Sequence, residues 1–139
     1  MLAVWVADCA ERTLLLFEVQ APGDARPREA VDGLRAFARG ELRIGEVRAL
    51  AVRAHAVACE VTDPAAVAAA RAAGQAAGTA HMAAHARTAA EYAAKAAGLA
   101  APDSPTAVAD EARWQHEHTT SKVRDVLRRL PPIRLTTPR

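Results

Sequence analysis

The chain has 139 residues and a formal charge of only +2, because 18 lysines and arginines nearly balance 16 aspartates and glutamates. This length predicts a single domain, and the near-neutral charge argues against a nucleic-acid-binding protein. Hydrophobic residues make up 51% of the chain, but alanine is the commonest of them, which favours helices packed around a thin core of small side chains.

In chain order, five periodic segments predict an all-α, single-domain bundle of about five helices over residues 1–130. We expect them at 3–19, from Pro27 to just before Gly40, at 44–61, at 64–98 and at 105–130. Proline, glycine and capping residues mark the breaks, and the fourth helix is the longest. No segment shows the alternation typical of strands, and residues 131–139 are predicted to form a Pro-rich tail.

Targeting signals and membrane segments are not expected in this sequence. The N-terminal stretch lacks the basic start of a signal peptide, and charged residues and histidines between Pro64 and Ala101 would make membrane insertion costly. We therefore expect a soluble, cytoplasmic protein without membrane contact. In that setting Cys9 and Cys59 should be reduced, buried side chains and not a disulfide.

The fourth predicted helix contains "GQAAGTAHMAAHARTAAEYAAK", in which His81 and His85 are four residues apart. Residues at this spacing share a helix face, so both imidazoles could bind one divalent metal such as Zn. The remaining ligands would have to come from other helices, the candidates being His55, Cys59, Asp8 and Glu11. The HExxH signature is absent, since Met82, Ala83 and Ala84 separate the histidines. Metal binding is therefore the alternative, and no catalytic residue is predicted.

The interpretation that we favour is a polar network or partner site between helices. On a helical wheel, His85 lies away from the charged stripe of Arg87, Glu91 and Lys95, on the side of Gly74 and Gly78. Glycines there would let a neighbouring helix approach closely, and polar groups could then bond across the contact. The predicted network comprises Asp8, Glu11, Arg12, His55, His81, His85 and Tyr92.

Two further features of the last predicted helix bear on partners. Trp114 lies opposite the apolar face, so it could contact a partner protein, or the Pro-rich tail could fold back and cover it. Five arginines near the C-terminus could bind nucleic acid, but a solvated helix end explains them more simply; they are Arg124, Arg128, Arg129, Arg134 and Arg139.

Four motifs follow one another between residues 5 and 97: "WVADCAERTLLLFE", "DARPREAVDGLRAFARGE", "AVRAHAVACE" and "AAARAAGQAAGTAHMAAHARTAAEYAAKAA". Together they resemble the immunity-protein family of bacterial polymorphic toxin systems, the immunity-five-like group. The positions that carry the resemblance are Asp8 to Glu11, Arg26 to Arg28, His55, His81 and His85.

This resemblance implies a non-catalytic interaction protein that binds and neutralises a cognate toxin. Because such inhibitors of nucleases are often acidic, the slightly basic charge of this chain argues against a cationic nuclease as the toxin. The thin alanine core also makes a homodimer plausible. The alternative to an immunity protein is a metal-binding helical bundle, or an enzyme, that uses His81, His85 and His55.

Overall fold

The computed structural model describes residues 1–131, and within that range the chain forms eight α-helices and no strand. The all-α prediction is confirmed. The helices are α1 (Leu2–Glu11), α2 (Leu14–Glu18), α3 (Arg26–Ala38), α4 (Ile44–Ala58), α5 (Pro64–Gly78), α6 (His85–Ala100), α7 (Ala107–Glu117) and α8 (Ser121–Arg129). Apart from Pro131, the predicted tail at 131–139 lies outside the described residues.

The prediction of about five helices was too low because three of the predicted helices are each interrupted. The first breaks at Arg12 and Thr13, where the Thr13 hydroxyl donates a hydrogen bond to the carbonyl of Ala10. This break lets Leu14 and Phe17 both point into the core, where each is fully buried. The last breaks before α8, which Thr120 caps by accepting a hydrogen bond from the backbone N–H of Val123.

The prediction of one long fourth helix is also wrong, because α5 ends at Gly78 and α6 begins at His85. The Thr79 hydroxyl donates to the carbonyl of Gln75, and short-range backbone bonds tighten the turn that follows. The break lets α5 pack against α6, and this is the most extensive contact between two helices in residues 1–131. A continuous helix could not make this contact, so burial of two alanine faces outweighs the helix propensity of the intervening residues.

Helix α5 is the centre of the described fold, since it packs against α1, α2, α3, α4 and α6. Its buried residues are all alanine or glycine, which lets five neighbours approach it closely. Larger side chains fill the space further out, among them Phe17, Leu14 and Leu34. None of the helices in residues 1–131 combines the length and the apolar character that crossing a membrane requires.

Candidate functional site

Three of the predicted site residues lie together in one small cavity. His55 comes from α4, His81 from the turn between α5 and α6, and His85 from the first residue of α6. The cavity has a volume of about 240 Å³. We call it the histidine pocket, and its further lining residues are Arg48, Ala51, Val52, Gly74, Gln75 and Gly78.

Two glycines of α5 make room for these imidazoles. A Cβ atom added at Gly74 would lie 2.7 Å from Cε1 and Nε2 of His55, closer than van der Waals contact allows. A Cβ at Gly78 would lie 3.2 Å from Cδ2 of His85. Both rings therefore rest directly on the backbone of the central helix, and a larger residue at either position would displace them.

Gln75 holds the ring of His85, a contact that was not predicted from the sequence. Nδ1 of His85 lies 2.6 Å from Oε1 of Gln75. Because an amide oxygen can only accept, Nδ1 carries the hydrogen, and Nε2 is left as an acceptor. The only sequence signal for this role is that Gln75 is an isolated amide in a helix otherwise made of small residues and Arg71.

The histidine pocket favours neutral imidazoles. Burial lowers the pKa of His55, and the nearby Arg71 guanidinium and His85 imidazole lower it further. Burial also lowers the pKa of His85, with a smaller contribution from His81. At neutral pH both rings are therefore uncharged and can offer hydrogen-bonding groups without the desolvation cost of a buried charge.

The spacing of the imidazoles bears on whether the histidine pocket could hold a metal. The rings of His81 and His85 are 5.4 Å apart between centroids and inclined by 55°. In residues 1–131, however, no three His, Cys, Asp or Glu side chains are grouped so that they could share an ion. Zinc takes three or four protein ligands, and the three histidines of this pocket are not placed to bind one ion together. Its described lining also contains no Ser, Cys or carboxylate that could act as a nucleophile or general base beside the histidines.

Asp8 and Glu11 lie elsewhere, at the contact between α1 and α3. Nη2 of Arg35 donates to Oδ1 of Asp8 at 2.7 Å and to Oε2 of Glu11 at 2.8 Å. Both carboxylates therefore pair with Arg35, and neither lines the histidine pocket. Tyr92 is half-buried on α6, where it packs against the main core.

Arg12, which follows α1, and Trp114 of α7 form a separate contact. Arg12 makes two hydrogen bonds to the carboxylate of Glu111, at 2.6 and 3.1 Å, and its guanidinium lies 4.0 Å from the centre of the Trp114 ring. His118 stacks on Trp114 at 3.9 Å. Trp114 is thus half-covered by these two residues, and the predicted cover by the tail lies outside the described residues.

Both cysteines are free, as predicted, but only Cys9 is buried. Burial and the charge of Asp8 raise the pKa of the Cys9 thiol to about 12, so it stays protonated and unreactive. Cys59 is exposed just after α4, which corrects the prediction that it is buried. It does not line the histidine pocket.

The rim of the histidine pocket exposes apolar side chains. Val52, a lining residue on α4, is 68% exposed, and Met82, which follows His81 in the turn, is 52% exposed. The pocket and its rim therefore offer apolar contact together with neutral hydrogen-bonding groups.

Comparison with known proteins gives one family. A family model described as "Imm-5 like putative immunity protein" matches residues 1–122, which include α1 to α7 and the start of α8. No curated protein and no solved structure matched the sequence. Because the family match covers most of the chain, the chain belongs to the Imm-5 like putative immunity protein family.

Proposed function

We propose that this protein binds a cognate bacterial toxin in the cytoplasm and neutralises it without catalysis. The observation that carries the proposal is the family match over residues 1–122. An immunity protein acts by occupying a surface that the toxin needs, so its own requirement is a rigid, complementary face. The central packing of α5 supports such rigidity, because five helices surround it.

The histidine pocket and its rim are the contact surface that we favour. Val52 and Met82 supply exposed apolar area, and His81 and Arg48 are exposed polar groups beside them. Binding energy at protein interfaces concentrates in a few apolar or aromatic anchors surrounded by polar contacts. Trp114 is a second candidate contact, since part of its ring remains accessible between Arg12 and His118.

The charge of the chain bears on the class of toxin. A strongly cationic nuclease is best inhibited by an acidic surface, whereas this chain has two more cations than anions. We therefore propose a toxin whose contact surface is neutral or acidic.

The experiment uses the protein encoded next to this gene as the bait. Tagged bait should retain this chain in a pull-down, and co-expression of the chain should restore growth to cells that produce the toxin. A noncognate immunity protein of similar size serves as the control. If the pair does not associate and growth is not restored, the proposal is wrong.

A further inference from the structure

A second and larger concavity lies between α6, α7 and α8 and shares no lining residue with the histidine pocket. Its volume is about 570 Å³. Trp5, Ala90 and Leu127 contribute to its floor, and Arg87, Arg124 and Arg128 contribute cationic groups. We call it the arginine groove.

The polar groups of the floor are satisfied within the fold. The indole N–H of Trp5 donates to the carbonyl of Gln115 at 2.9 Å, and the side-chain amide of Gln115 donates to the carbonyl of Ala90 at 2.9 Å. Trp5 and Gln115 are both buried. The floor therefore presents apolar surface to an occupant, and Val108, which is 51% exposed, extends this apolar surface at the edge.

Positive charge is concentrated in the arginine groove. Three arginines line it against a single carboxylate, Glu91, whereas the whole chain has 18 cations and 16 anions. Arg87 donates to the carbonyl of Leu127, and this bond ties α8 to α6. Within residues 1–131, the carboxylate that pairs with these arginines is Asp125, 3.8 Å from Arg128, and both groups of that pair are mostly exposed. Most of the cationic capacity of the groove is thus available to a partner.

We infer that the arginine groove docks an acidic amphipathic segment of a partner protein. The apolar side chains of that segment would cover the floor, and its carboxylates would pair with Arg124 and Arg128. Such complementarity is the usual basis of specificity between charged surfaces, and an amphipathic helix in an apolar groove is a common mode of peptide recognition. The inference rests on the proposed function only in naming the toxin as the partner that carries the segment.

Two other occupants fit the groove less well. Nucleic acid would use exposed aromatic faces for base stacking, but Trp5 is only 7% exposed at the floor. The chain's own residues 132–139 contain Arg134 and Arg139 and no acidic side chain, so the groove would repel them.

The test uses the full-length chain and two designed helical peptides of about 16 residues. Both carry leucines at helical spacing, with glutamates on the flanks of one and lysines on the flanks of the other. We expect the glutamate peptide to bind at least about tenfold more tightly, with an affinity that falls as salt is raised. Calorimetry measures the affinity directly, and circular dichroism confirms that each protein variant is folded.

Charge variants then locate the peptide. The double reversal Arg124→Glu with Arg128→Glu should weaken binding of the glutamate peptide by about tenfold or more, and Arg124→Gln with Arg128→Gln by less. The double reversal Lys122→Glu with Arg129→Glu is the matched control, because both residues are exposed on the same helix and neither lines the groove. Equal binding of both peptides, or equal effects of the two double reversals, would overturn the inference.

Evidence that something else occupies the arginine groove would also overturn the inference. A single-stranded oligonucleotide that binds more tightly than the glutamate peptide would assign the groove to nucleic acid. Peptide binding that appears only in the variant Ile133→Asp with Leu135→Asp would assign it to the chain's own C-terminal residues. A dimer in sedimentation experiments that the reversal of Arg124 and Arg128 dissociates would assign it to a second copy.

The inference and the proposed function can fail separately. If the chain neutralises the toxin but binds neither peptide, only the inference about the groove is wrong. Peptide binding at the groove without any toxin binding would remove the proposed function and leave the groove as a docking site for another acidic protein.

Discussion

The position of the His55 ring depends on the absence of a Cβ atom at Gly74. A methyl group there would lie 2.7 Å from the ring, so the His55 ring would have to shift away from α5. Overpacking costs about 1–3 kcal/mol, whereas replacing a helical glycine by alanine gains up to about 1 kcal/mol. We therefore expect Gly74→Ala to lower the free energy of unfolding by about 1 kcal/mol.

Gly45 provides the matched control for this prediction. It also lies in a helix, but nothing surrounds the place where its Cβ would be. Gly45→Ala should therefore stabilise the protein in urea unfolding, opposite in sign to Gly74→Ala. Stabilisation of the same size by both substitutions would show that His55 does not pack on Gly74.

The lowered pKa values of His55 and His85 predict a dependence of stability on pH. In the unfolded chain both imidazoles titrate near 6.5, and in the folded chain they release their protons at lower pH. Between these values the unfolded chain binds more protons than the folded chain. The stability gained by burying the two neutral rings is therefore complete above about pH 6.5 and is lost as the pH falls below that value. Besides each other, the groups around the two rings are Arg48, Arg71, Gln75 and His81, none of which is acidic.

Thermal unfolding between about pH 7.5 and pH 5 measures this effect, because carboxylates remain largely ionised over that range. The melting temperature of the wild type should fall as the pH is lowered, and the slope of melting temperature against pH should be smaller in His55→Gln. His116→Gln, at an exposed histidine, should keep the wild-type slope. A slope that His55→Gln leaves unchanged would contradict a buried, neutral His55.

At the scale of helices, the sequence predicts where proline and glycine begin and end an element but not where an alanine-rich helix breaks. Pro64 begins α5 as expected, and Asp63 caps it by accepting a hydrogen bond from the N–H of Ala66. The residues 79–84 contain no proline or glycine, so helix propensity alone favours continuation there. The break follows from the packing of α5 on α6, a long-range contact that local sequence does not encode.

Of the described helices, α8 packs least extensively against the others, and α1 is its main neighbour. Val123 is its one buried residue, and Leu127 is half-buried. Local stability follows buried apolar contact, so backbone amides of α8 should exchange with deuterium much faster than those of α5. Hydrogen-exchange mass spectrometry measures this difference, and peptides from α5 serve as the internal control.

A substitution in α8 extends this test. Val123→Ala should increase exchange in α8 further, at a local cost of about 1–2 kcal/mol, and leave α5 unchanged. Protection of α8 equal to that of α5 would contradict the weak attachment.

At the scale of the whole molecule, composition and periodicity were sufficient to predict the all-α class, since alanine favours helices and no segment alternates as strands do. They were not sufficient to place the site. His81 and His85 lie close together although they do not share one helix, since His81 is in the turn and His85 begins α6. Asp8 and Glu11 instead meet Arg35, because a salt-bridge partner 24 to 27 residues away depends on how α1 packs on α3.

We predict that the whole protein folds without a bound metal, because the three described histidines of the pocket are not grouped so that they could share one ion. Elemental analysis of protein purified without a histidine tag should show no stoichiometric zinc, iron or manganese. Treatment with a chelator should leave the melting temperature unchanged. One equivalent of metal per chain, together with destabilisation by the chelator, would support the alternative of a metal-binding bundle.

The most direct test of the whole account is an activity titration of the toxin encoded by the neighbouring gene. A binding protein should abolish toxin activity at an equimolar ratio, and Val52→Asp should weaken the complex by about tenfold or more through a buried charge at the rim. Leu15→Asp is the control, since Leu15 is 67% exposed, Val52 is 68% exposed, and Leu15 does not line the histidine pocket. Inactivation at far below one molecule per toxin, or equal affinity of the two variants, would contradict non-catalytic neutralisation through this surface.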